Sequence, residues 1–145
     1  MRRIGHPFSA RSRLGLYYEM VLKPALEKAV GEPLTKTKEE MDCMDFEGRT
    51  CFVELKTRSD QYHYSQSFIK RDGWILPTCK IVRARKEVKE GKRVFFFYFW
   101  LAGKSLWQWD FSEGGLLDSL EKYPEWHQDY QKQTYIKERH WKRVY

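Results

Sequence analysis

Residues 41–58 read MDCMDFEGRTCFVELKTR, and the reading of this stretch decides the fold. Two β-prone runs, residues 41–46 and 50–56, flank the short connection Glu47-Gly48-Arg49, which predicts a β-hairpin. Strand side chains alternate, so Cys51, Val53 and Leu55 line one face while Glu54 and Lys56 share the other with Phe52. A carboxylate and an ammonium so close together on a largely apolar strand cost desolvation energy. A bound divalent cation with a phosphate ligand is one arrangement that compensates. An Asp on the partner strand would then complete a hard-cation site built of oxygen ligands.

Two aspartates are candidates, and the turn decides between them. Cross-strand partners share a face. A two-residue loop pairs even positions with odd ones and puts Asp45 on the face of Glu54, whereas a three-residue loop would pair Asp42 directly with Glu54. Two-residue loops are the commonest hairpin connections, which favours Asp45.

Asp45, eight intervening residues and then Glu54-Leu55-Lys56 resemble the active-site signature of the PD-(D/E)xK nucleases, the restriction-endonuclease-like superfamily. The likeness covers the hairpin closely and residues 10–111 loosely, and it takes in the preceding helix that carries Glu19. The wording MDFEGRTCFVELKTR is also similar to small restriction-endonuclease-like proteins of large DNA viruses, and this too favours Asp45.

The resemblance implies an α/β fold with a restriction-endonuclease-like core, a mixed central β-sheet flanked by helices in an αβββαβ-type order. It implies metal-dependent hydrolysis of phosphodiester bonds, with DNA favoured over RNA as substrate. Asp45, Glu54 and the backbone carbonyl of Leu55 would ligate Mg²⁺, for which Mn²⁺ could substitute. Lys56 would orient or deprotonate the attacking water and stabilise developing charge, and Glu19 would add a further carboxylate.

Composition agrees with a folded globule and a polyanionic partner. The 145 residues suit one domain, 1–145, and 41% hydrophobic and 17% aromatic residues argue against disorder. No 18-residue apolar run exists to span a membrane, and the opening MRRIGHPFSARSR lacks the apolar segment of a secretory signal. A formal charge of +7 favours a polyanionic partner such as nucleic acid, although an ordinary basic protein would look the same. Three cysteines, Cys43, Cys51 and Cys79, without CxxC spacing suggest a reducing, intracellular compartment, cytoplasmic or nuclear. The four histidines are scattered, with no zinc pattern.

From Ala10 to Val30, apolar residues at 14, 17, 18, 21, 22, 25, 26 and 29 predict an amphipathic helix that Pro24 should kink or divide and Gly31 should end. Glu19 lies at the border of the apolar stripe. Residues 35–40 read as a charged linker, and 59–74 as a polar, aromatic loop with a short helix near 65–71.

Pro77 at a first helical position opens a helix to about Glu90, stopped by Gly91, with Cys79, Val82, Ile81 and Val88 toward the core. Its basic residues form either a solvated face or a phosphate-tracking one. Arg58, Lys80 and Arg83 are the expected nucleic-acid contacts. Residues 94–101 (VFFFYFWL) predict a central strand buried on both faces, returning through Ala102-Gly103-Lys104 to a hairpin partner over 106–111. Residues 116–133 suggest short helices broken at Pro124. The basic, aromatic tail 134–145 suits either nucleic acid or a snorkelling edge strand.

Two other function classes fit the same residues: a non-catalytic nucleic-acid-binding module, and a protein-interaction domain meeting an acidic partner. A nuclease cutting two strands would suit a homodimer.

Overall fold

The structure, a computed structural model, describes residues 10–37, 44–58, 74–101, 103–114, 120–122, 133–136 and 140–145. It is mixed α/β. A long helix α1 (Ala10–Val30) precedes strands β1 (Thr35–Lys36), β2 (Phe46–Glu47) and β3 (Cys51–Arg58). Strand β4 (Trp74–Pro77) runs directly into helix α2 (Thr78–Lys89), followed by β5 (Arg93–Trp100) and β6 (Ser105–Asp110). A single-turn helix α3 (Phe111–Gly114) and the short strands β7 (Leu120–Lys122), β8 (Gln133–Ile136) and β9 (Lys142–Arg143) complete the described elements.

The main sheet has six strands in the order β1-β2-β3-β5-β6-β9, and β4-β8-β7 form a second sheet. Strand β3 runs parallel to β5 over eight residue pairs, Cys51↔Arg93 to Arg58↔Trp100, and every other pairing in the main sheet is antiparallel. A parallel pair requires a crossover connection, and β4 and α2 lie within it.

The alternation along β5 accounts for two cores. Phe95, Phe97 and Phe99 join Cys51, Val53 and Leu55 beneath Leu22 and Leu26 of α1. Val94, Phe96 and Tyr98 join Phe52 and pack against Ile81 and Ala84 of α2, together with Trp109 and Trp141. The apolar run expected to be a two-faced central strand is therefore sandwiched between helices. Phe96 stacks with Trp109 at 5.5 Å between centroids, and Tyr98 meets Trp141 edge-on at 5.8 Å.

Several expectations are corrected. Helix α1 is not divided at Pro24, which is exposed, while Gly31 ends it as expected, with φ 85°. Its buried stripe is narrower than the sequence pattern, because Tyr17 and Val21 face solvent and Leu22 and Leu26 carry the packing. Thr35 and Lys36 are a strand rather than linker, because Thr35 pairs with Glu47 and Lys36 with Phe46. Helix α2 starts one residue after Pro77, which ends β4 in an extended conformation. The α2 residues that face the core are Ile81, Ala84 and Val88, while Cys79 and Val82 are exposed.

Phe111 opens α3 instead of ending β6. Residues 120–122 are extended and pair with β8, where helix was expected. In the tail, Trp141 is buried and Lys142–Arg143 pair with β6, the edge-strand alternative. The loop and short helix expected over 59–73 lie outside the described residues, as do Cys43 and Pro124; Trp74, placed in that loop, belongs to β4.

The hairpin is fastened to α1 by carboxylates. Glu27 Oε2 accepts from the Leu34 backbone N–H at 2.8 Å, holding the chain as it leaves the helix. Glu32 accepts from the Thr50 N–H at 3.1 Å and from the Thr50 hydroxyl, which lowers its pKa. Gly48 gives the Glu32 carboxylate room at this turn, since a Cβ there would lie 2.7 Å from Glu32 Oε1 and 3.1 Å from Cys51 Sγ, so that the Glu32 side chain would have to shift.

Leu26, fully buried between α1 and the sheet, is the test of this packing. Leu26→Ala should lower unfolding stability by about 2–5 kcal/mol in urea titrations, the range for a cavity that neighbours cannot refill.

Candidate active site

Register brings the site together. Phe46 faces Val53 and Glu47 faces Phe52, and the Gly48 N–H donates to Cys51 O at 2.8 Å, so the two-residue turn is Arg49-Thr50. The connection lies further along the chain than the expected Glu47-Gly48-Arg49, and Glu47 belongs to β2. The turn is therefore the two-residue kind, but the ladder ends at Phe46↔Val53, one residue short of Asp45. Asp42, the alternative, lies outside the described residues.

At Asp45 the chain leaves the ladder. Its N–H donates to Val53 O at 2.9 Å, and its Oδ2 accepts from the Leu55 N–H at 2.8 Å. The Asp45 carbonyl accepts from the Thr37 N–H at 3.0 Å, and the Thr37 hydroxyl donates to Met44 O at 2.7 Å. These main-chain bonds hold the carboxylate at the edge of β3.

Glu54 is 2% exposed and sits on the α2 face of the sheet among apolar neighbours. Lys56 Nζ is 3.1 Å from its Oε2, and Lys80 Nζ from α2 is 3.3 Å from both Oε1 and Oε2. Glu19 reaches the same region from α1: its Oε1 is 2.6 Å from Lys36 Nζ, which also lies 3.7 Å from Asp45 Oδ1. Three carboxylates are therefore interleaved with three ammonium groups.

The electrostatics follow from burial. Desolvation pushes Glu54 up to about 6; the Asp45 charge adds to the rise, while Lys56 and Lys80 oppose it. Asp45 is also raised, first by burial and then by the Glu19 charge, against the Leu55 N–H and the charges of Lys36 and Lys56. Burial works to lower Lys36, but the Glu19 hydrogen bond and the Asp45, Glu19 and Glu54 charges outweigh it and raise the ammonium pKa.

The expected site residues divide into two groups. Glu19, Asp45, Glu54, Leu55 and Lys56 come together, and so does Lys80, which was expected on a nucleic-acid-contacting face. Among the described residues, the contacts of Arg58 and Arg83 lie elsewhere. The Arg58 side chain donates to Thr57 O and lies over the Tyr98 ring, and Arg83 pairs with Glu87 at 2.7 Å beside the Phe52 ring. Lys36 is the residue that sequence reading missed. No local signal marks it, because only the β1–β2 register carries it to Glu19 and Asp45.

The donor set suits a hard cation. Asp45 and Glu54 offer carboxylate oxygens that burial and mutual repulsion make costly to leave ionised, and a cation relieves that cost. Among the described residues, no group of three or more His, Cys, Asp or Glu side chains forms a ready cage. Mg²⁺ commonly takes only one or two carboxylates and completes its shell with water and phosphate. Comparison of the chain with protein-family models, with curated proteins and with solved structures yields no match.

A carboxyl whose pKa is higher in the fold than in the unfolded chain binds its proton more tightly when folded. Its contribution to stability is therefore gained as pH falls below about 6 and lost as pH rises through that value. In metal-free buffer the protein should gain on the order of 1–2 kcal/mol from Glu54 between pH 7.5 and pH 4.5. Urea unfolding of wild type and Glu54→Gln at both pH values checks this, and parallel pH profiles for the two proteins would contradict it.

Proposed function

We propose that the chain is a metal-dependent nuclease with a restriction-endonuclease-like core, hydrolysing phosphodiester bonds in DNA in preference to RNA. The observation that carries the reading is the meeting of Asp45, Glu54 and Lys56 at one edge of β3. Asp45 is tied there by the Leu55 N–H, and Lys56 lies 3.1 Å from Glu54. The α1–sheet–α2 arrangement and a hairpin leading into a strand parallel to β5 agree with the αβββαβ-type core.

In this reading Asp45 and Glu54 hold Mg²⁺ or Mn²⁺, with the Leu55 carbonyl as a further ligand. The bound ion supplies acidified water and a polarised phosphate. The Lys56 ammonium, on the same face as Glu54, orients the attacking water and stabilises charge growing on the phosphate. Glu19 stands one lysine away from Asp45 and orders the acidic side of the site through Lys36. The charge of +7 and the exposed residues Arg85, Lys86 and Lys89 of α2 support a polyanionic substrate. A homodimer would let two such sites cut both strands of a duplex.

The second reading, a nucleic-acid-binding module without catalysis, is favoured by one feature. The ammonium groups already neutralise Glu54 and Asp45, so the cluster needs no cation for its own stability, and the exposed Arg85, Lys86 and Lys89 could meet a polyanion without catalysis. Metal binding separates the two.

Two experiments test the nuclease reading. A labelled panel of plasmid, linear duplex, single strands, four-way junctions and RNA should be cut in Mg²⁺ or Mn²⁺. Lys56→Ala should lose about 100-fold or more in rate, the scale of a lost proton-transfer group, while keeping its circular dichroism spectrum and nucleic-acid affinity. In calorimetry, Asp45→Asn should weaken Mg²⁺ binding about tenfold or more. Salt-dependent binding without cutting or metal uptake would instead establish the binding module.

A further inference from the structure

Lys80 differs from Arg85, Lys86 and Lys89 of the same helix, and unlike Arg83, whose ion pair to Glu87 lies within α2, it pairs with a carboxylate of the sheet. Arg85, Lys86 and Lys89 are exposed, whereas the Lys80 side chain is only 17% exposed and its ammonium lies 3.3 Å from both oxygens of Glu54. It comes from the helix layer and Lys56 from the sheet, so Glu54 is held by cations from two independent elements.

Counting charge shows the consequence. Glu19, Asp45 and Glu54 carry three negative charges, and Lys36, Lys56 and Lys80 carry three positive charges. Among the described residues the cluster is neutral. A divalent cation entering alone leaves two positive charges in excess in a poorly solvated place, which is unfavourable. A phosphodiester entering with it contributes a negative charge and an acceptor for an ammonium that Glu54 releases. A lysine is suited to that exchange because its ammonium is a point charge on a flexible four-carbon stem.

Resting on the nuclease reading, we propose that Lys80 couples metal binding to phosphate binding. It neutralises Glu54 while the site is without substrate and transfers its ammonium to a non-bridging oxygen of the phosphodiester when Glu54 turns to the cation. Lys80 is thus a substrate contact inside the cleavage site rather than a groove contact on the surface of α2. No bond is made or broken in the transfer; one ion pair replaces another.

The test uses the whole chain and reads metal affinity as well as activity. Mn²⁺ binding is measured by electron paramagnetic resonance, with and without excess diethyl phosphate as a singly charged phosphodiester probe. Lys80→Met keeps the apolar stem and removes the charge, Lys80→Arg keeps the charge, and Lys86→Met controls for loss of an exposed charge on the same helix. Without diethyl phosphate, Lys80→Met should bind Mn²⁺ about tenfold more tightly than wild type, while Lys80→Arg and Lys86→Met stay close to wild type.

Diethyl phosphate should tighten Mn²⁺ on wild type and have a smaller effect on Lys80→Met. Cleavage by Lys80→Met should fall about tenfold or more despite the tighter metal. A lysine with only a structural role would not raise metal affinity when removed. If wild type binds Mn²⁺ and cuts DNA but Lys80→Met binds Mn²⁺ no more tightly, the coupling role is overturned and the nuclease reading stands. If wild type neither binds Mn²⁺ nor cuts, both are overturned.

Discussion

The parallel pairing of β3 with β5 is the constraint on which the rest of the molecule depends. Eight consecutive residues of each strand are matched, and the Arg93 N–H to Thr50 O and Leu101 N–H to Arg58 O bonds close the two ends. This register sets Glu54 beside Phe96 and Lys56 beside Tyr98, so both charged groups emerge on the face that α2 covers. A slip of one residue would send them to the α1 face among Leu22, Leu26 and Phe97. The six buried aromatic and aliphatic residues of β5, Val94 to Phe99, make such a slip costly on both faces at once.

Within that frame the site is a balance between burial and charge. A carboxylate 2% exposed would be prohibitive alone, and it is tolerated because ammonium groups from β3 and α2 flank it. The balance is incomplete: burial still raises Glu54 and Asp45 despite the lysines around them. Groups held under such tension concentrate at functional sites, because the tension is released when a ligand of the right charge arrives. The same carboxylate chemistry organises the chain at Glu27, which accepts the Leu34 N–H just after α1, and at Glu32, which accepts the Thr50 N–H of the hairpin turn.

The hairpin, the two longer helices and the central strand were legible because each is written in local signals. The periodicity from Ala10 to Val30, Gly31 and Gly91 after the helices, and VFFFYFWL all act within a few residues of themselves. The errors fell where the partner decides the conformation. Thr35–Lys36 has no strand signature and becomes a strand because β2 offers it an edge, and residues 120–122 do so beside β8. Pro24 leaves α1 whole because propensity is a weak prior against Leu22 and Leu26 packed on the sheet.

What the sequence by itself determined is the chemistry available at one place: a hairpin with a two-residue turn that carries Glu54 and Lys56 on one face of its second strand and an aspartate on its first. That much follows from the period of two along a strand and the loop length, both local properties. Only the tertiary structure decided what surrounds those groups. Lys36 arrives through strand pairing, Lys80 through the packing of α2, and Glu19 through the docking of α1. Each lies many residues from Glu54 along the chain, and no spacing rule connects positions that meet only because separate elements bury their apolar faces on the same sheet.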